Sequence, residues 1–426
     1  MTLRELSART SQDLIVALAL YRPGPLKGGL KDAFVRRHLG QEPADYLHPA
    51  LEPILSETYG VILYQEQVLR IAHEVAGFSL GEADLLRRAM SKWRSAHEME
   101  RLRAQFFAGA QATSGLDATT AEQVWELMAA FAGYGFPKAH AAGYAAVAYR
   151  MAYLKTHYPA EFMAARLAVW GGFYRPAVYM SEARRLGLAV KAPHVNHSHA
   201  VFTLEPPQTL WMGLGQIREL THTTQQVLEA QRPFASLEDL LARAQPLYVE
   251  AVNLVKAGAL EGLGNASAML AWLEQERWRG RHTGQMGLLV GQPMAAMPEP
   301  TPNERADWER EVLGLSVSVH PLRRVAEKLA QYTLTRSDEL DRHTGQDVAL
   351  AGVRLAAHRF MARQQDPMLL VDMEDEAGIY QVLWSGAALD KYRSLLSQRQ
   401  PVLLRGRVRA DRQGQVVVAG YDISVL

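Results

Sequence analysis

The chain has 426 residues, of which 48% are hydrophobic and 21% charged. That composition fills the cores of roughly two to four domains and excludes wholesale disorder or collagen-like structure. It contains no cysteine, which excludes disulfides, a thiolate nucleophile and cysteine-ligated zinc or iron–sulfur sites, and its 46 basic and 45 acidic side chains leave a net charge of +1. Any attraction to nucleic acid therefore has to come from local basic surfaces.

Residues 1–170 carry helical signals, among them Leu51-Glu52-Pro53-Ile54-Leu55 and the apolar spacing through Val68, Ile71, Val75 and Leu80, and predict a helical domain with few strands. No apolar run approaches the about 20 residues that span a bilayer. The best, Ala141 to Leu154, is broken by Arg150, and the short stretch Leu14 to Leu20 leads into Tyr21-Arg22-Pro23-Gly24-Pro25 rather than a cleavage site. A cytoplasmic protein is expected.

Residues 171–207 lose the helical period around Pro193, Asn196 and Pro206-Pro207, as in an irregular connector or a short α/β piece. Short helices return over 208–280, punctuated by Gly213, Gly215, Gly258, Gly262 and Gly264. Residues 281–346 read as a linker, proline-rich from Pro293 to Pro302, with a helix from about Glu304 to Leu315. Over 347–426 apolar and polar residues alternate in runs at Val348–Phe360, Met368–Met373, Ile379–Trp384, Pro401–Val408 and Gln415–Val425, with a helical stretch Ala387–Ser397 after the third. That is the element order of an OB barrel. The expected fold is multidomain and mainly α, ending in an all-β OB barrel.

Three basic clusters stand out in the first 170 residues. Residues 22–37 hold Arg22, Lys27, Lys31, Arg36 and Arg37; residues 87–103 hold Arg87, Arg88, Lys92, Arg94, Arg101 and Arg103; residues 134–158 hold Lys138, Arg150 and Lys155 without an acid. Converging in space, they would form a phosphate-binding surface; the alternative is a set of solvated helix faces. In Gly133-Tyr134-Gly135-Phe136-Pro137-Lys138-Ala139-His140, the glycines and proline force a turn, and a helix starting there would offer free N–H groups beside Lys138 and His140. Such a start serves either a triphosphate or simple packing, and the Gly-Lys-Ser/Thr ending of a P-loop is missing.

No carboxylate pair stands out as a metal site. Asp372, Glu374, Asp375 and Glu376 read as an acidic turn, and His194, His197 and His199 as structural or solvated histidines. Gln285-Met286-Gly287-Leu288-Leu289 has the form of a short segment that docks into a partner's apolar pocket.

Longer strings carry a resemblance. Asp13-Leu14-Ile15 with Ala19 to Pro25, Tyr59-Gly60-Val61-Ile62-Leu63-Tyr64-Gln65-Glu66-Gln67, Ala76 to Met90, Phe131 to His140, and Tyr153-Leu154-Lys155 through Met163 resemble the fingers domain of the bacterial DNA polymerase III alpha subunit, the C-family replicative polymerase. Arg218 to Leu263, with Arg232-Pro233-Phe234 and Lys256-Ala257-Gly258-Ala259-Leu260, resembles its tandem helix-hairpin-helix region. Gln285 to Leu289 resembles its sliding-clamp motif, and Glu311-Val312-Leu313-Gly314, His320-Pro321-Leu322 and the alternating tail resemble its linker and OB domain.

The resemblance implies template-directed DNA synthesis with Arg22, Arg87, Arg88, Lys138 and His140 on the incoming dNTP. It implies DNA contacts at Lys92, Arg94, Arg218, Lys256, Arg405 and Arg407, and clamp binding through Gln285, Leu288 and Leu289. It begins inside the fingers, so the palm aspartates are expected outside this sequence. No cofactor is expected on these residues, with Mg²⁺ entering only in an enzyme assembled with a palm domain, and no polymerase activity is expected from them alone. The sequence is then either a fragment of such a polymerase or one half of a split one, whose partner would be a separate palm-bearing polypeptide; a non-catalytic DNA- and clamp-binding accessory protein and an inactive remnant are the alternatives. Three positions depart from the family pattern: Glu219-Leu220-Thr221-His222 follows Arg218 where glycines are usual, Leu289 replaces an aromatic residue, and Val319 replaces a glycine.

Overall fold

The computed structural model describes residues 2–20, 30–91, 96–132, 136–275, 296–361, 367–410 and 416–426. The chain divides into two compact units, Met1–Tyr153 and Leu154–Leu426. The division falls inside a long helix, earlier than the change of composition near residue 170, because Ala160, Met163 and Leu167 are buried in the same core as Met180, Leu188 and Val195.

The first unit is helical: α1 (Ser11–Leu20), α2 (Leu30–His38), α3 (Gln65–Arg70), α4 (Leu80–Ser91), α5 (Ala96–Ser114), α6 (Ala118–Ala132) and the start of α7 (Lys138–His157). Local chemistry sets several starts. The Asp13 carboxylate accepts the backbone N–H groups of Arg9 and Thr10 ahead of α1, and Ser79 and Glu82 close a reciprocal box at the start of α4. One core gathers Val68, Ile71, Leu86, Leu102, Phe106, Trp125 and Met128; another gathers Leu6, Leu20, Phe34, Leu63 and Tyr64. Beyond Ala145, α7 presents Val147, Tyr149, Met151 and Tyr153 to solvent on all sides, each at least 45% exposed.

In the second unit, α8 (Pro159–Val169) and α9 (Pro176–Arg185) precede a small sheet of β1 (Ala189–Lys191), β2 (Thr203–Glu205) and β3 (Thr209–Trp211). The central β3 runs parallel to β1 and antiparallel to β2, so the expected connector is a short α/β piece that runs past residue 207 to Trp211. Then come α10 (His222–Gln231), α11 (Leu237–Ala244), α12 (Tyr248–Lys256), α13 (Ala266–Gln275) and α14 (Pro302–Leu313). Thr221, Ser236 and Thr301 cap α10, α11 and α14, and Gly314 ends α14 at φ 74°.

The tail forms β4 (Asp347–Met361), β5 (Pro367–Glu374), β6 (Ile379–Ser385), α15 (Gly386–Ser397), β7 (Val402–Ala410) and β8 (Val416–Val425). The strands close in the order β4-β5-β6-β8-β7, with β7 returning to β4 and β6 parallel to β8. Alternate side chains, including Leu350, Val371, Val382, Trp384, Leu404 and Val418, fill the interior. The acidic string is not a solvated turn. Asp372, Glu374 and Asp375 are 3%, 5% and 8% exposed. Each is buried because a distant group meets it: Tyr174 and Gln381 on Asp372, Arg185 on Glu374, and Ser337 with the Ala377 and Gly378 amides on Asp375.

Candidate nucleotide and nucleic-acid interface

In the first unit, the Tyr59 to Gln67 string turns at Gly60 and enters α3. Gln67, the third residue of α3, reaches back so that its amide oxygen accepts Leu63 N–H at 2.8 Å and Tyr64 N–H at 2.9 Å, while its amide nitrogen donates to Thr58 Oγ1 at 2.7 Å and the Ile54 carbonyl at 3.4 Å. The side chain is 2% exposed, so this neutral amide holds the turn from within. Sequence reasoning did not single it out, although a Gln three residues past a helix cap is a recognisable signal.

The turn so fixed pairs with the start of α7. Tyr64 forms a parallel bridge with Phe136, and Gln65 N–H donates to the Phe136 carbonyl at 3.0 Å. Expected nucleotide contacts meet here from distant parts of the sequence. Arg87 Nη1 reaches Gln65 Oε1 at 3.4 Å; Lys138 Nζ lies 5.4 Å from the Tyr64 ring centroid; His140 packs edge-on between Phe136 and Tyr144. Arg22, Lys92, Arg94, Gln285, Leu288 and Leu289 lie outside the described residues.

The expected open cradle is not open. The Lys138 N–H that begins α7 is taken by the Glu66 carboxylate, at 3.0 and 3.1 Å to its two oxygens. The Lys138 ammonium sits 2.6 Å from Glu57 Oε2, and Asp84 holds both Arg87, at 2.8 Å, and Arg88, at 2.6 Å. An internal anion thus fills the position where a helix terminus attracts a phosphate. Three cations face three carboxylates. The Tyr64 hydroxyl, buried between them without a hydrogen-bond partner, is pushed well above its ordinary value, by burial first and then by Glu57 and Glu66.

In the second unit, Arg218 lies exposed between the 3₁₀ turn Leu214–Gln216 and α10. The next residue, Glu219, has φ 60°, a left-handed conformation that glycine adopts without penalty. Below it Glu250, 1% exposed, accepts Thr221 N–H at 2.9 Å, Thr221 Oγ1 at 2.7 Å, Thr224 Oγ1 at 2.9 Å and Leu247 N–H at 2.7 Å. Burial alone would raise this carboxyl, but the hydrogen bonds bring it below the usual carboxylate value. Lys256 ends α12 and is bound by both oxygens of Glu311, at 2.8 and 2.9 Å; the following Gly258 has φ 78°.

On the barrel, Arg405 and Arg407 point outward from β7 together with Arg409, which completes an exposed stripe. Arg407 Nε donates to the Gly345 carbonyl at 3.0 Å. Arg409 was missed, although the same alternation carries it. Among the described residues, no group of three or more His, Asp or Glu is arranged to hold a metal ion. His194 instead accepts the Asn196 amide, and His197 stacks on Trp211 at 4.5 Å. No described helix is long and apolar enough to cross a membrane.

Comparison with known proteins shows what the chain is similar to. Residues 1–114 match the bacterial DNA polymerase III alpha subunit finger domain, and residues 187–270 match a helix-hairpin-helix motif. The chain is a homologue of the bacterial DNA polymerase III alpha subunits. It is 36% identical over 443 residues to the DNA polymerase III subunit alpha of Thermus aquaticus, covering 98% of this chain and 36% of that protein. It is 34% identical over 423 residues to the error-prone DNA polymerase of Corynebacterium glutamicum, covering 98% of this chain and 39% of that protein. The chain thus spans under two fifths to about two fifths of the relatives it matches, and the near-equal identities do not separate the two kinds.

Proposed function

We propose that this polymerase III alpha homologue is the nucleotide- and DNA-gripping part of a DNA polymerase acting in replication or repair. The triphosphate of an incoming dNTP binds where α3 meets α7, using Arg87, Arg88, Lys138 and His140 with Arg22. The helix-hairpin-helix module grips primer–template backbone near Arg218 and Lys256, the outward arginines of β7 take single-stranded template, and Gln285, Leu288 and Leu289 engage the sliding clamp. Mg²⁺ and the catalytic aspartates belong to a palm domain, whether on this polypeptide or another, for which the exposed apolar length of α7 offers a docking face.

The observation that carries this reading is the convergence of Arg87, Lys138 and His140 on one helix-start junction that the Tyr64–Phe136 bridge assembles. Phosphate binding there exchanges partners: the triphosphate replaces Glu57 and Glu66 on Lys138, so the site is neutral when empty and cationic toward a stronger anion. In an enzyme assembled with a palm-bearing polypeptide, Lys138→Ala is expected to raise the nucleotide Michaelis constant about ten-fold or more, since a hydrogen bond to a charged group is worth about 1.5–3 kcal/mol. An unchanged Michaelis constant in steady-state primer extension rejects the assignment.

A further inference from the structure

The segment Trp170-Gly171-Gly172-Phe173-Tyr174-Arg175, between α8 and α9, lies against the outer face of the barrel. Phe173 stacks on His358 of β4, with ring centroids 5.5 Å apart and planes 13° from parallel, yet remains 71% exposed. One face of the ring is backed and the rest is open. The segment is anchored: Tyr174 donates its hydroxyl to Asp372 of β5 at 3.4 Å, the same carboxylate that accepts Gln381 Nε2 at 2.9 Å and lies 3.5 Å from His358 Nε2. Gly172, at φ 114°, gives the turn; a Cβ there would collide with the Arg166 guanidinium and the Tyr179 hydroxyl.

Beside this platform opens a cavity of about 470 Å³ between the segment, α9, the end of α14 and β4. Its lining includes Arg175, Arg184, Arg310, Arg354 and Arg399, and its single acid, Glu374, is engaged by Arg185 at 3.2 Å. Arg184 donates to the Val317 carbonyl at 2.7 Å and faces Glu309 and Glu374, whereas Arg354 donates to the Ser397 carbonyl at 2.8 Å. Arg354 Nε is buried with no hydrogen-bond partner, a donor without its acceptor.

We propose that this seam binds single-stranded nucleic acid, with an unstacked base on Phe173 and the adjoining phosphates on Arg175 and Arg354. A ring open on one face and backed by a second ring is a stacking platform, and it reads any base because every base has a π-face. Duplex DNA keeps its bases stacked internally and has none to offer. Arginines beside the platform, one with a buried unpartnered donor, suit an anion alongside the base, a pairing that single strands supply at every nucleotide. The proposal rests on the reading that this chain handles DNA, and adds a barrel face and residues outside the barrel that the β7 stripe does not include.

The test is fluorescence anisotropy of the full chain with a 15-nucleotide oligothymidylate and with a 15-mer of the same backbone made entirely of abasic units, at several salt concentrations. Phe173→Ala is expected to weaken oligothymidylate binding about ten-fold with an unchanged salt slope, to leave abasic binding unchanged, and to be rescued by Phe173→Trp. Arg175→Ala and Arg354→Ala are each expected to weaken both probes and reduce the salt slope by about 0.7. Tight oligothymidylate binding that Phe173→Ala does not alter, or an equal loss on both probes, overturns the stacking site while leaving the wider DNA reading standing. Failure of the unaltered chain to bind either probe overturns both.

Discussion

The turn below the proposed nucleotide site in the first unit and the hairpin in the second are built on one plan with different chemistry. In each, the third residue of a helix reaches back to its own cap and across to a threonine on another segment: Gln67 to Leu63, Tyr64 and Thr58, and Glu250 to Leu247, Thr221 and Thr224. The first device is neutral and both donates and accepts; the second is an anion that only accepts. A neutral amide holds its turn at any pH, whereas a carboxylate holds its own more strongly but only while ionised. The difference extends upward. The turn above Gln67 carries cations already matched by Glu57, Glu66 and Asp84, while the turn above Glu250 carries exposed Arg218 beside a strained Glu219.

The largest expected effect comes from breaking the neutral device. Gln67→Leu keeps the volume but strands the Leu63 and Tyr64 amides in the interior, where each unmet donor costs about 1–3 kcal/mol. We expect local opening of residues 54–70 to become easier by about 3 kcal/mol, measured by native-state hydrogen exchange, and by the same amount at pH 4 and pH 7. Loss that changes with pH would refute the neutral account.

Glu250→Gln is expected to cost about 2 kcal/mol at pH 7, because an amide nitrogen would face donors that a carboxylate oxygen now accepts. Here pH dependence follows from sign. The folded carboxyl titrates below its unfolded value of about 4.3, so its contribution is complete above that value and is lost as pH falls through the lower, folded one. The gap between the unaltered chain and the variant, followed by urea unfolding, should be constant from pH 7 to about pH 5 and close in stronger acid. A gap that stays open there would show that Glu250 acts by shape alone.

Much of this architecture was legible in the sequence, for reasons that differ by region. The five barrel strands follow from alternation, a local signal, and each lies within a few residues of its expected run. The buried acids at 372–375 were not legible, because burial is made possible by Tyr174, Arg185 and Ser337, all remote in sequence. The candidate nucleotide site divides the same way: Asp84 lies three residues before Arg87 on α4, a pairing that spacing alone carries, but the neutralisation of Lys138 by Glu57 depends on which elements meet. Spacing identifies residues that can bind phosphate, while only the fold shows what occupies them beforehand.

A smaller effect is expected at the hairpin. A left-handed non-glycine residue costs about 1 kcal/mol, partly offset by the greater freedom of glycine in the unfolded chain. Glu219→Gly should therefore slow hydrogen exchange of residues 214–221 by two- to five-fold. It should also tighten duplex binding modestly by removing an anion beside Arg218; weaker protection would mean that the Glu219 side chain supports the turn.

The subtlest change sharpens the contrast between matched and unmatched cations. If Glu57 merely decorates the surface, Glu57→Gln changes nothing beyond a weak exposed ion pair worth about 0.2–1 kcal/mol. If it holds Lys138 in place of a phosphate, removing its charge lowers the cost of exchanging partners, and nucleotide should bind two- to five-fold more tightly. Glu66→Gln should act in the same direction at the start of α7, where the carboxylate competes for the Lys138 amide. Titration with a fluorescent dNTP reads both variants, and Lys138→Ala combined with Glu57→Gln provides the decisive arm. If Glu57 competes with phosphate through the ammonium it pairs with, its gain should vanish once Lys138 is gone; a gain that survives would reflect general charge reduction instead of a specific exchange.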